Sequence, residues 1–290
     1  MAAAETIEDR ISAHYADLST KLRTAADYVA GHPVDVATRS LRSVAQTSGV
    51  SPATFSRLAR ALGYADYEAL REAGRAAVGQ KLIPFSERAR SLRSAERQSD
   101  AAELLHEQAT ACMANIAYLD QNIPAARLDA AVEVLHRAGT VLLLGSMGSA
   151  GVIDYFGYQA QWIASNWHVA GRNGTSTAAI LSRMGPGDAL FVLVKTPYAA
   201  RSINALGAAR DKGVTTIVVT DSHAAPALRF ADHAFVVPTV SPNFFSSYAA
   251  TLVLFETIVT LLLTRAGPEA EDRILAMEDQ VRRLGENWSE

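Results

Sequence analysis

Two groups of side chains in this 290-residue sequence could meet a charged ligand. In the first, Ser51, Pro52, Ala53, Thr54, Ser56, Arg57 and Arg60 follow closely after Arg42. On a helix opening at Pro52, the hydroxyls and small residues line the first turn, and Thr54, Arg57 and Arg60 can point outward. Such groups donate to phosphate oxygens and to base edges. In the second group, Gly145-Ser146-Met147-Gly148-Ser149 follows the apolar run VLLL, and Lys195-Thr196-Pro197-Tyr198 follows ALFVLV. Glycines permit close backbone approach, serines add hydroxyl donors, and a helix N-terminus favours an anion. Lys195 supplies a point charge for an acidic ligand. Two plainer readings stand beside these: a tight turn for the Gly/Ser loop, and a lysine whose apolar stem reaches out to solvent.

The elements that must hold the first group are two short helices with a tight turn. Leu41, Val44 and Ala45 recur at helical spacing, and Gly49 stands where a C-terminal cap is wanted. Val50 then packs inward. Ser51 caps the next helix through its hydroxyl, and Pro52 occupies its first position, where the missing N–H costs nothing. Phe55, Leu58 and Leu62 share the buried side, and the small Ala45 lets the helices cross closely. The pattern is that of a helix-turn-helix, whose second helix enters the DNA major groove by its N-terminal turn. A plain helical hairpin has the same apolar spacing, and charge separates the two readings. Between Arg39 and Arg75 there are six arginines (39, 42, 57, 60, 71, 75) against Asp66, Glu68 and Glu72, inside a chain of net charge −3. A local basic excess in an acidic chain is an electrostatic footprint for phosphates.

Around this pair the spacing predicts helix from Ile11 to Ala30, stopped by Gly31-His32-Pro33. A short connection over Pro33 to Ser40 has room for one helical turn. Gly63 closes the second helix of the pair, and Asp66 caps another that carries Tyr67, Leu70, Ala73 and Val78. Residues 1–79 thus form an all-helical domain. Gln80 to Asp100 holds Lys81, Pro84, Arg88, Arg90, Arg93 and Arg97 with no sustained apolar stripe, and reads as a linker. With the helix Ala101 to Leu119 it makes a connecting segment over 80–124.

The period changes after the next helix, Ala125 to Arg137. Apolar strands fall at Val141–Gly145, Trp167–Val169, Asp188–Lys195, Thr215–Thr220 and Ala234–Val237. They alternate with helices from Gly151 to Ile163 and from Arg201 to Lys212. That alternation predicts a doubly wound α/β domain over 125–266, a parallel sheet covered on both faces. A long helix from Phe245 to Arg265 and an amphipathic one from Glu269 to Leu284 complete the chain, with 267–290 as a C-terminal helix. Ligands of such sheets bind at the carboxyl ends of the strands. This is where both Gly145–Ser149 and Lys195–Tyr198 fall. Ser246 and Ser247, with Phe244 and Phe245, either close over that ligand or pack at a subunit contact.

The whole-chain properties bound the rest. A pI near 6.2 confines any nucleic-acid surface to a patch. The single cysteine, Cys112, has no His or second Cys at ligand spacing, so neither a disulfide nor a metal site is expected. The start MAAAETIEDR is unlike a signal peptide, and the apolar run Thr251 to Thr264 contains Glu256 and is too short to span a bilayer. A cytoplasmic location, no membrane partner and no cofactor are expected.

On the stretches GVSPATFSRLARALGYADYEALR (49–71), VLLLGSMGSAG (141–151) and VVTDSHAAPALRFADHAFVVP (218–238), the sequence resembles the RpiR family of bacterial transcription regulators. The resemblance implies an α plus α/β architecture: an N-terminal helix-turn-helix domain and a C-terminal SIS (sugar isomerase) domain. It further implies a homodimer or homotetramer that binds double-stranded DNA and senses a small anionic metabolite, a sugar phosphate or an organic acid. Its targets would be carbohydrate or organic-acid catabolic genes. Ser51, Thr54 and Arg57 would face DNA, and Ser149 would face the effector's phosphate. One departure stands out. The family's second phosphate loop reads Ser-x-Ser-Gly-x-Thr, and those positions here are Val194, Thr196, Pro197 and Ala199. The first loop has Met147 where a second glycine is usual. A sugar-phosphate isomerase with a helical appendage is the other reading. Its candidate bases, Glu256, His168 and His233, are set by no spacing to act together, so no catalytic residue is expected.

Overall fold

A computed structural model describes residues 7–82, 85–94, 100–172, 176–223 and 225–288. Within the basic linker, Pro84 and Arg97 lie outside the described residues, as do the first six residues and the side chains of Arg75, Val78, Lys81 and Arg88. The chain divides into two compact units, residues 1–98 with 222–226, and the remainder.

The first unit is all helical: α1 (Ile7–His14), α2 (Thr20–Gly31), α3 (Pro33–Thr38), α4 (Leu41–Ser48), α5 (Pro52–Ala61), α6 (Tyr67–Leu82) and α7 (Phe85–Ser94). Phe55 is fully buried at its centre, with Tyr28 and Tyr67 edge-on at 6.0 Å each. Ala25, Ala26, Ala45 and Ala59 are buried around it, and their small side chains let the helices approach closely. The predicted helix from Ile11 to Ala30 is interrupted. A 3-10 turn at Tyr15–Asp17 and the extended Ser19 (ψ 158°) separate α1 from α2. A straight helix of that length would run about 30 Å past a small core. The break buries Ile7, Ile11 and Leu18 in the same cluster as Ala26 and Val29.

The second unit contains α8 (Ala101–Asn122), α9 (Ala125–Arg137), β1 (Val141–Gly145), α10 (Ser149–Ala160), β2 (Trp167–Val169), α11 (Thr177–Leu181) and β3 (Ala189–Leu193). After these come α12 (Ala200–Asp211), β4 (Thr215–Thr220), a 3-10 turn at Pro226–Phe230, β5 (His233–Val236), α13 (Ala249–Arg265) and α14 (Pro268–Leu284). The five strands are all parallel in the order β2-β1-β3-β4-β5. Chain order reverses between β1 and β3, which makes the crevice at their carboxyl ends the topological switch point. Alternate residues face opposite sides. Leu143, Phe191, Leu193 and Val219 pack with α8, α9, α10 and α13, while Leu144, Leu190, Val192 and Val218 pack with α11 and α12. Both faces are dry, so the strands read as continuous apolar runs.

Three differences from the sequence reading bear on the site. The helix α8, placed by its basic neighbours in a connecting segment, packs on α13. It contributes Leu119 to the core, and its buried Asn115 amide donates to Val240 O at 2.7 Å. The helix α10 opens at Ser149, two residues before Gly151, so the Gly/Ser loop itself is the helix entry. Finally, α13 starts at Ala249 and not at Phe245. The Ser247 hydroxyl accepts the Ala249 N–H and the Ser247 N–H donates to Thr239 O, holding 245–248 as a loop.

Candidate functional site

In the first unit, Ser40 caps α4 and Gly49 leaves it with φ 69°. The chain then turns at Val50 so that Ser51 caps α5 and Pro52 opens it. The Ser51 hydroxyl accepts the Thr54 N–H at 3.3 Å and lies 2.8 Å from Thr54 Oγ1. Thr54 itself is only 4% exposed, which corrects the expectation that it points outward. Its hydroxyl closes the cap with Ser51 and accepts from the Arg57 guanidinium at 3.5 Å, because at N3 a threonine is drawn to its capping partner. The outward row is instead Ala53, Ser56, Arg57 and Arg60, at i, i+3, i+4 and i+7. Ser51, Pro52, Ala53, Arg57, Arg60 and Arg42 are exposed, and Ser56 is half-buried. Arg39 pairs with Asp35 at 3.2 Å and Arg71 with Glu68 at 2.5 Å, and Asp66 caps α6 through the Ala69 N–H. These three carboxylates each have a partner, and Arg42, Arg57 and Arg60 are exposed.

In the second unit the two predicted loops meet at the switch point. Gly145 must be glycine: a Cβ there would lie 2.6 Å from Ser149 O and 2.8 Å from the Ile153 side chain. That close approach brings the entry of α10 down onto β1. Ser149 is buried, with its hydroxyl 3.1 Å from the Tyr248 hydroxyl, and Ser146 Oγ lies 3.1 Å from Ser202 Oγ on α12. Met147 takes a left-handed φ of 57° and is exposed.

Lys195 does not reach solvent. It is buried, its ammonium donates to Thr251 Oγ1, and it lies 4.6 Å from the centre of the Tyr248 ring. Burial lowers its pKa to about 7, and the nearby Asp221 carboxylate only partly offsets this. Burial likewise raises the Tyr248 phenol, against the Ser149 hydrogen bond. Asp221 follows β4 and accepts the Thr196 N–H at 3.1 Å, and the Thr196–Pro197 peptide is cis.

Two predicted effector residues are placed otherwise. Tyr198 is half-buried against the α11/α12 core face. Ser247 is buried as a cap and shares a hydrogen bond with Cys112 Sγ at 3.3 Å, since its hydroxyl is needed to open α13. Ser246 is half-buried on the same loop. Of the remaining predicted residues, Gly145, Ser146, Gly148, Ser149, Lys195 and Thr196 come together, while the Met147 side chain is exposed. Asp221, Tyr248, Thr251 and Ser202 complete the constellation and were missed. Asp221 carried a usable signal, a carboxylate directly after a buried strand. Tyr248 and Thr251 carried none, being ordinary at the start of an apolar helix.

Glu256, His168 and His233 do not join them. Glu256 is exposed and accepts from the Tyr155 hydroxyl at 3.1 Å, His168 is exposed on the edge strand, and His233 opens β5 at the amino end of the sheet. A surface pocket also lies at that amino end, among His136, Ser165, Asn166, Trp167 and Arg273, away from the Lys195 cluster. Among the described residues no His, Cys, Asp or Glu group converges as metal ligands do.

A helix-turn-helix domain followed by a parallel α/β domain with a polar switch-point crevice is the architecture of a ligand-responsive DNA-binding protein. Residues 5–77 match the helix-turn-helix domain of the rpiR family, and residues 134–261 match the SIS domain. The chain is therefore an RpiR-family protein, with both parts in the family's order. No curated protein matches it. Among solved structures it is similar to the Vibrio vulnificus NanR protein complexed with ManNAc-6P, at 22% identity and TM-score 0.57 over 96% of this chain and 99% of that one. It is also similar to the sugar isomerase domain of an RpiR transcription factor from Sphaerobacter thermophilus, at 24% identity and TM-score 0.56 over 62% of this chain and 99% of that one. At these identities the likeness is one of fold.

Proposed function

We propose that the chain is a DNA-binding transcriptional regulator that holds a small anionic metabolite, a sugar phosphate or an organic acid, in its SIS domain. It would control carbohydrate or organic-acid catabolic genes. The observation that carries this is the exposed row Ala53, Ser56, Arg57 and Arg60 on a helix opened by Ser51 and Pro52, matched to the rpiR-family domain. The Ser149–Lys195–Asp221 crevice supports the sensing half, and NanR, of similar fold, is a complex with a phosphorylated sugar.

The protein would act as a homodimer or homotetramer, which sets two recognition helices about 34–36 Å apart on a palindromic or repeated site. Leu105 and Met113 on α8, and Leu275 and Leu284 on α14, are exposed apolar side chains of the kind a second copy covers. The effector acts only if it prefers one arrangement of the domains. Selection from random duplexes with the full chain should enrich one such site. Arg57→Ala should weaken binding to it by about 1–3 kcal/mol if the guanidinium reads a guanine. No enriched sequence, together with an Arg57→Ala variant that binds DNA as well as the parent, would refute the proposal. Isomerisation of glucose 6-phosphate or ribose 5-phosphate by the purified chain would favour an enzyme instead.

A further inference from the structure

We infer that the switch-point site takes an unphosphorylated hydroxy-carboxylate, one carboxylate on a hydroxyl-rich body, and discriminates against the phosphate monoester of the same body. This rests on the effector-site reading above and sharpens it to one ligand class.

Three features of the site point the same way. The first is charge. Lys195 and Asp221 are the two ionisable groups of opposite sign in the crevice, so together they offer no excess positive charge. A phosphate monoester carries close to two negative charges at neutral pH, and a carboxylate carries one. Asp221 repels the dianion about twice as strongly at equal distance. A site without excess positive charge therefore tolerates one negative charge better than two.

The second feature is the supply of donors. Three phosphate oxygens need many hydrogen bonds, and the loop after β3 has few to give. Val194 and Ala199 end in methyl groups, Pro197 has no N–H, and the Thr196 N–H is already given to Asp221. Two carboxylate oxygens ask for less. The Lys195 ammonium and the Ser149 and Tyr248 hydroxyls form a contiguous set for them, since the Tyr248 ring lies against Lys195 while its hydroxyl meets Ser149.

The third feature is an acceptor left waiting. Asp221 Oδ1 is buried and has no hydrogen-bond partner among the described residues. A buried polar atom without a partner is costly. A ligand hydroxyl brings a donor to it. A phosphate group set there brings only acceptors and is repelled by the carboxylate.

The test is calorimetric titration of the full chain with four- to six-carbon aldonates, D-gluconate among them, each paired with its terminal phosphate ester and with glucose 6-phosphate as a further control. At least one aldonate should bind about tenfold or more tightly than its own phosphate. Lys195→Met should abolish that binding, and Asp221→Asn should narrow the preference by strengthening the phosphates. Circular dichroism melting would establish that both variants are folded. Phosphates that bind more tightly than their aldonates, and are weakened by Lys195→Met or Ser149→Ala, would overturn the ligand class while leaving the site in place. Binding that neither variant alters, or no binding by any compound, would overturn the site reading and the ligand class with it.

Discussion

Replacing Lys195 by methionine tests the buried amine directly. Methionine keeps an unbranched apolar stem one atom shorter than that of lysine and removes the ammonium that lies over the Tyr248 ring. In the folded chain the lysine releases its proton near pH 7, whereas its ordinary value is 10.5. At 1.36 kcal/mol per pH unit, keeping it protonated in the folded state costs roughly 5 kcal/mol below pH 7. Between the two values the unfolded chain binds more protons than the folded one, so folding stability rises with pH across this window. The parent should therefore gain on the Lys195→Met variant by about 2 kcal/mol between pH 7 and pH 9. Titrations shared by both proteins cancel in that difference. Urea unfolding followed by tryptophan fluorescence reads it cleanly, because Trp162, Trp167 and Trp288 all belong to the second unit. A difference that stays flat over this range would mean that Lys195 remains charged in the folded protein, and the reasoning about a low-dielectric site would fail.

Three other substitutions probe the scaffold. Ser51→Ala removes the cap of α5 and leaves the buried Thr54 hydroxyl only its 3.5 Å contact with Arg57, so the first unit should lose about 1–2 kcal/mol in chemical denaturation, with DNA affinity falling in parallel. Gly145→Ala drives a methyl into Ser149 O and should cost the second unit about 1–3 kcal/mol by the same measurement, with any effector binding lost as α10 is pushed from β1. Asn115→Ala leaves Val240 O without its donor and should cost about 1–3 kcal/mol, seen as faster hydrogen exchange through the loop before α13.

The helix-turn-helix was legible because its signals are local. Gly49, Ser51, Pro52 and the apolar triplet Phe55, Leu58 and Leu62 each act within one or two turns, and all of them took the predicted places. The five strands were legible for a similar reason, since a strand buried on both faces is a short apolar run in any context. Thr54 was misread because a cap and the core compete for one side chain, and spacing alone does not say which wins. The membership of α8 in the second core was hidden behind its basic neighbours. Its apolar residues look the same whether they pack on α13 or stand in a connector.

Sequence by itself determined the helix-turn-helix pair, the order of the five strands and the two loops that carry chemistry, because capping, periodicity and glycine geometry are properties of neighbouring residues. Tertiary structure alone decided which groups share the crevice. Asp221, Tyr248 and Thr251 stand 26 to 56 positions beyond Lys195 and reach it only because a parallel sheet gathers its strand ends on one side. The low pKa of Lys195 has the same origin, since the water it loses is displaced by side chains remote in the chain.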